Sequence, residues 1–304
     1  MQATREREPG EWVEAGPVRF VDGLSASGRL VRTIAARREL VVAGVRRDLA
    51  ARFSGTLLGR LWPLLTPLFL FGVYYFLFTR IFGFRLEGLP EERRAALGVW
   101  MFIGTLVWTG FAEGVTRAST VLVENGTLIK KLAFPAELLP LQTVLASTVT
   151  QLLAFGVFAV VAFGASLWPF AGAALAWVPA IVVLQVLFAY GLALCASAAT
   201  VFLRDAAAAL GLLFTVWMFA TPVFWMPVRE VLPTIEPWLP WIERNPTHSL
   251  CYAWRAVLMS SEPALAFPRS IDAELAAFAP WSLGAFVVGA TFFACVKRRF
   301  ADEV

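Results

Sequence analysis

The chain has 304 residues, of which 59% are hydrophobic and only 16% charged, with a formal net charge of +4. Ordinary soluble domains carry about a quarter charged residues, so a water-soluble globular domain is excluded and lipid is the expected solvent for most of the chain. Nucleic-acid binding is excluded on the same grounds, because the arginines gather beside hydrophobic stretches, which is the pattern of topology signals.

Residues 1–28 form a polar, Arg-rich tail with no apolar h-region behind the initial Met. A cleaved signal peptide is therefore not expected, and the amino terminus is expected to stay in the cytoplasm. Residues 29–60 mix Leu30, Ile34, Val41, Val45, Leu49 and Phe53, mostly four or seven apart, with eight arginines. That pattern predicts an interfacial amphipathic helix at the headgroup level, broken or bent at Gly44 and at the Gly55/Gly59 pair.

Residues 61–304 hold six apolar runs long enough to cross a bilayer: Leu61 to Phe84, Ala96 to Arg117, Leu138 to Leu167, Gly172 to Leu203, Ala206 to Met226 and Leu275 to Val296. The fold class is thus all-α, an integral membrane protein with six transmembrane helices. With the amino terminus inside, the inner segments carry eighteen Lys and Arg and the outer ones eight, which sets both termini in the cytoplasm. Glu113 and Arg117, four apart near the inner end of the second run, read as a helix-stabilising ion pair. A proton relay would need more than one such acid.

Between the second and third runs, residues 121–135 carry Glu124-Asn125-Gly126, a turn, then Leu128-Ile129-Lys130-Lys131, a short helix, closed by Phe134-Pro135. Short, amphipathic and cytoplasmic, this segment suits docking on a soluble partner. Residues 227–274, on the outer side, hold Val231, Leu232, Ile235, Trp238, Leu239, Trp241, Ile242 and Leu250 among prolines. They are too apolar for a solvated loop and too interrupted to span, so re-entrant helices between the fifth and sixth spans are expected.

No GxxxxGK[ST] phosphate loop occurs, so any ATP-driven work needs a nucleotide site on another chain. Cys195, Cys251 and Cys295 are too few and scattered for a disulfide framework, and His248 has no Cys or His at metal-ligand spacing. Neither a metal nor a cofactor is expected in this chain. Tyr74, Tyr75, Phe78, Trp217, Phe224 and Trp225, in the outer parts of the first and fifth runs, are candidate sugar-stacking aromatics. An interfacial aromatic belt explains the same residues equally well.

Several motifs in order resemble the type 2 ABC exporter permeases that move polysaccharides. They are Arg47-Asp48-Leu49 through Arg52, Phe53, Gly55, Leu58-Gly59, Leu61-Trp62 and Pro67, then Asn125, Leu128, Lys130-Lys131, Phe134-Pro135, Glu137 and Leu139-Pro140. Phe202 with Arg204-Asp205, Thr221-Pro222-Val223, Asn245-Pro246 and the terminal Phe300-Ala301-Asp302-Glu303-Val304 continue the match. The resemblance implies a homodimeric permease of the bacterial inner membrane that works with two copies of a separate ATPase, which binds the ATP and Mg. It also implies export of a lipid-linked polysaccharide such as O antigen on an undecaprenyl diphosphate carrier. On that reading Glu124, Asn125, Leu128, Lys130, Lys131, Phe134 and Pro135 couple to the ATPase, and Tyr74, Tyr75, Phe78, Trp217, Phe224 and Trp225 belong to the spans around the path.

A diphosphate needs positive charge at the cytoplasmic headgroup level, so Arg46, Arg47, Arg52, Leu58, Gly59 and Arg60 are the candidate admission site. Topology and binding of anionic lipid are the competing uses of those charges. Teichoic acid export is the leading alternative within the class. A polytopic enzyme acting on undecaprenyl-linked sugars would need clustered acids or bases at one membrane face, and a proton-coupled transporter would need inverted repeats; neither pattern is visible.

Overall fold

Apolar runs of bilayer length become single long helices in a computed structural model of the chain, because lipid offers backbone amides no hydrogen-bond partner outside the helix itself. Residues 20–52, 91–131, 134–164, 172–225, 236–259 and 269–303 are described, with isolated positions between 62 and 81. The first expected span, and with it Leu58, Gly59, Arg60, Tyr74, Tyr75 and Phe78, lies for the most part outside the described residues.

The helices run α1 (Phe20–Ala36), α2 (Arg38–Arg52), α3 (Glu91–Glu124), α4 (Gly126–Lys131), α5 (Leu138–Gly164), α6 (Val178–Phe202), α7 (Ala206–Ala220), α8 (Leu239–Arg244), α9 (Pro246–Leu258), α10 (Ile271–Val296) and α11 (Phe300–Glu303). Among the described residues, four stretches are long and apolar enough to cross a membrane: Gly98–Glu124, Leu138–Val161, Ala173–Phe202 and Ile271–Arg299. They coincide with the second, third, fourth and sixth expected spans, and the chain is a multi-pass membrane protein. Large apolar side chains stay exposed on their outer faces, such as Leu153, Val160, Val183, Trp281 and Val288. Water would penalise such a surface and lipid does not.

Two expectations change. The fifth run ends as a helix at Ala220, where Thr221 turns into extended backbone before Pro222. Fifteen residues rise about 22 Å, short of the roughly 30 Å hydrocarbon core. The segment expected to form one amphipathic helix is two helices that begin at Phe20, earlier than expected, and break at Arg37, not at Gly44; apolar and polar faces separate clearly in α1 and not in α2. Gly44 lies inside α2, and a Cβ there would overlap the Gln142 side chain of α5. The missing side chain lets the Gln142 amide donate to the Leu40 carbonyl at 3.0 Å, which ties α2 to α5.

Apolar burial offers little drive between helices in lipid, so close approach and polar contacts carry the association. α6 and α10 meet at Gly191 and Gly289, where a Cβ on either glycine would overlap backbone of the other helix. Inside the bundle Gln185 donates to Gln151 at 2.6 Å, and the Trp254 indole donates to Gln185 at 2.9 Å. Such intramembrane hydrogen bonds contribute on the order of 0.6–2 kcal/mol each.

Two buried cores divide the bundle lengthwise. One joins Leu30 of α1 and Val41 of α2 to Leu122, Leu138, Leu194, Phe293 and Phe300. The other joins Trp100, Phe111, Phe188, Trp254, Leu275 and Phe278. The first core marks a basic end, where Arg117 lies in the last turns of α3, Arg204 follows α6 and Lys297-Arg298-Arg299 follow α10.

Candidate functional site at the basic end

Four charges converge at the C-terminal end of α2. The Arg52 guanidinium donates to Asp48 at 3.1 Å, Glu113 at 2.9 Å, Ser147 at 2.8 Å and Thr150 at 3.4 Å, so all three of its nitrogens are engaged. Arg117 closes the network on Asp48 at 2.8 Å. The expected Glu113–Arg117 pair is present but long, at 3.8 Å; the tighter partner of Glu113 is Arg52. Arg52 is 5% exposed and joins α2, α3 and α5.

Arg46 and Arg47 differ from it in being exposed. Arg47 borders a cavity of about 470 Å³ between α2, the end of α3 and the start of α5, together with Arg117, Glu124, Asn125 and Gln142. Sequence alone placed Arg46, Arg47 and Arg52 in one group. The structure separates an interior clamp from two surface cations.

α3 runs two turns beyond its expected end, through Glu124, and the chain turns at Asn125. The Asn125 side-chain amide donates to the Val121 carbonyl at 2.9 Å, and its own carbonyl accepts from Leu128 at 3.0 Å, which starts α4. Thr120 donates to Glu124 at 2.7 Å. Leu128, Ile129 and Phe134 pack on the basic-end core, whereas Lys130 is exposed. Lys131 ends the helix, and Phe134-Pro135 lead to a tight turn before α5. This short helix is held from the far end of the sequence as well, because buried Phe300 joins the same core and lies 5.1 Å from the Phe293 ring. Beside it Lys297 pairs with Glu137, and the Tyr190 hydroxyl donates to the Glu137 carbonyl at 2.9 Å.

At the opposite end two sequence motifs come together. The Asn245 side chain caps α9, accepting from the Thr247 amide at 3.2 Å and the Trp217 indole at 2.9 Å, and donates to Thr221 at 2.9 Å. Trp217, half-buried, packs its ring among Trp108, Phe111 and Phe188. Phe224 and Trp225 are half-buried at the turn that follows α7, and the Trp225 indole donates to the Phe219 carbonyl at 3.2 Å.

Arg255 is the functional-looking residue that sequence reading passed over as one more outer-loop charge. It is fully buried on α9, donates to the Trp100 and Val223 carbonyls at 3.1 and 3.0 Å, and lies 3.9 Å over the Trp100 ring. A lone arginine inside the apolar run from Leu250 to Leu258 was the available signal. Nearby His248 is held neutral, its pKa lowered to about 3 by burial first and then by Arg255 and Arg269.

Long apolar helices with one basic end, two further helices at that end and a short helix packed on the same core make a multi-pass membrane protein. The chain belongs to the ABC-2 type transporter family, whose profile matches residues 39–259. It is 29% identical over 277 residues to the O-antigen export system permease protein RfbA of Myxococcus xanthus, covering 91% of this chain and 99% of that one. To an O-antigen export system permease protein RfbA of Klebsiella pneumoniae it is 26% identical over 268 residues, covering 87% and 94%.

Proposed function

We propose that this chain is the membrane-spanning subunit of an ABC exporter that moves O antigen, carried on a lipid diphosphate, out across the bacterial inner membrane. The observation that carries the reading is likeness to O-antigen export permeases along 91% of the chain. Six spans, the fifth made by the short α7 together with the turn that follows it, pairing as a homodimer and cytoplasmic termini complete it. The concentration of Lys and Arg at the end that holds α1, α2 and α4 supports that end as cytoplasmic.

The ATPase is a separate subunit that binds the ATP and Mg, and α4 is its docking element. Glu124 and Lys130 offer exposed charges of both signs, while Leu128 and Phe134 anchor the helix to the bundle. A short rigid helix held this way transmits rigid-body motion of the ATPase to α3 and α5. The wholly buried α9 is the inner limb of a re-entrant pair in the outer leaflet, and the half-buried Phe224 and Trp225 stand at its mouth.

Arg46 and Arg47, with Leu58, Gly59 and Arg60, form the admission site for the diphosphate. Desolvating a diphosphate is costly without compensating donors, and exposed guanidinium groups supply them. Arg52 positions that surface without touching the substrate. In a strain lacking this chain, surface O antigen is expected to disappear and to return with the wild-type gene. Arg47→Gln is expected to restore about a tenth of it, with normal protein level and normal recovery of the ATPase in pull-downs. Surface O antigen that persists in the deletion strain would overturn the assignment; full restoration by Arg47→Gln would remove Arg47 from the site.

A further inference from the structure

A second polar cavity lies at the basic end, away from the cavity beside Arg47 and built from different elements. It has a volume of about 310 Å³ between α1 and the last turns of α10, with Arg29, Lys297, Arg298 and Glu137 on its polar side and Leu30 and Phe293 on its apolar side. Lys297 and Glu137 neutralise one another as an ion pair. Arg29 and Arg298 do not pair with any described acid; one Arg29 nitrogen donates to Ser25 at 3.2 Å, which fixes its direction along α1. Two positive charges therefore meet no described acid in a cleft that Leu30 and Phe293 also line.

From this geometry we infer that the cleft is a binding site for the phosphate of an anionic glycerophospholipid of the cytoplasmic leaflet. The inference rests on the proposed orientation, with the basic end at the inner headgroup level. Guanidinium groups bind phosphate in bidentate fashion, and the apolar floor excludes a free inorganic ion as the best occupant because it would leave that wall without a partner. Such a lipid would fill the seam between α1 and α10 and join the amphipathic helix to the last span.

Native mass spectrometry of the purified full-length protein tests this with three probes: dioleoyl phosphatidylglycerol, dioleoyl phosphatidylcholine and undecaprenyl phosphate. Phosphatidylglycerol is expected to be retained in preference to phosphatidylcholine. The Arg29→Gln/Arg298→Gln double variant is expected to weaken retention about tenfold, and Arg32→Gln, an exposed arginine outside the cleft, to leave it unchanged. If the double variant fails to fold, Ala294→Trp, which fills the cleft, must show the same loss. Equal retention of phosphatidylcholine, or unchanged retention in the cleft variants, would overturn the site. Preferential retention of undecaprenyl phosphate, lost in the same variants, would reassign the cleft to the carrier lipid and overturn the phospholipid. Retention is read without transport, so failure of export in cells and failure of this site are separate results.

Discussion

Placing a single methyl group on Gly191 is expected to destabilise the protein by about 2–3 kcal/mol, although alanine is the better helix former. The added Cβ would overlap the backbone carbonyl of Ala285 on α10, and backbone in a packed helix cannot swing aside as a side chain can. Gly284, on α10 itself, has open space where its Cβ would be. Gly284→Ala is therefore expected to stabilise by up to about 1 kcal/mol, through helix propensity alone. Thermal unfolding in detergent reads both, with opposite signs of shift. Gly191→Leu is expected to yield no folded protein. A Gly191→Ala melting curve at or above wild type would refute the close crossing of α6 and α10.

Arg52→Gln carries the second large effect, a loss of about 2 kcal/mol. Removing a buried partner from an ion pair typically costs about 3–5 kcal/mol. Water reaches Glu113, which is 42% exposed, and reduces that figure. The variant would leave Asp48 and Glu113 with Arg117 as the one remaining cation of the cluster. Arg47→Gln, at an exposed position, is expected to stay within about 0.5 kcal/mol of wild type. A double-mutant cycle with Asp48→Asn in the same unfolding assay would show coupling between positions 48 and 52. Additive effects, or an Arg52→Gln protein as stable as wild type, would dissolve the clamp and return Arg52 to the substrate surface.

Hydropathy made the second, third, fourth and sixth spans legible because each is an unbroken apolar run, and a bilayer accepts little else. The turn at Asn125 and the short helix after it were legible from Glu124-Asn125-Gly126 and Phe134-Pro135, local chemistry that needs no distant partner. Gly44 was misleading: glycine signals either a bend or a close approach, and Gln142, which decides the matter, is remote in sequence. Arg52 and Arg47 look alike in a charge count. The Asp48–Arg52 spacing of four was visible, but Glu113 and Ser147 stand 61 and 95 residues away. The resemblance put Trp217 in a span around the path; the partner of its indole, Asn245, belongs to a motif within the outer segment, 28 residues on. Sequence thus reported elements and local turns; it could not report which charges and rings face each other across helices.

The most direct test reconstitutes the chain in proteoliposomes with its cognate ATPase and follows a lipid-linked O-antigen polysaccharide across the bilayer. The account predicts ATP-dependent translocation with both proteins, and neither translocation nor ATP hydrolysis with this chain alone. ATP hydrolysis by the chain alone, or translocation that continues when the ATPase is omitted, would contradict it.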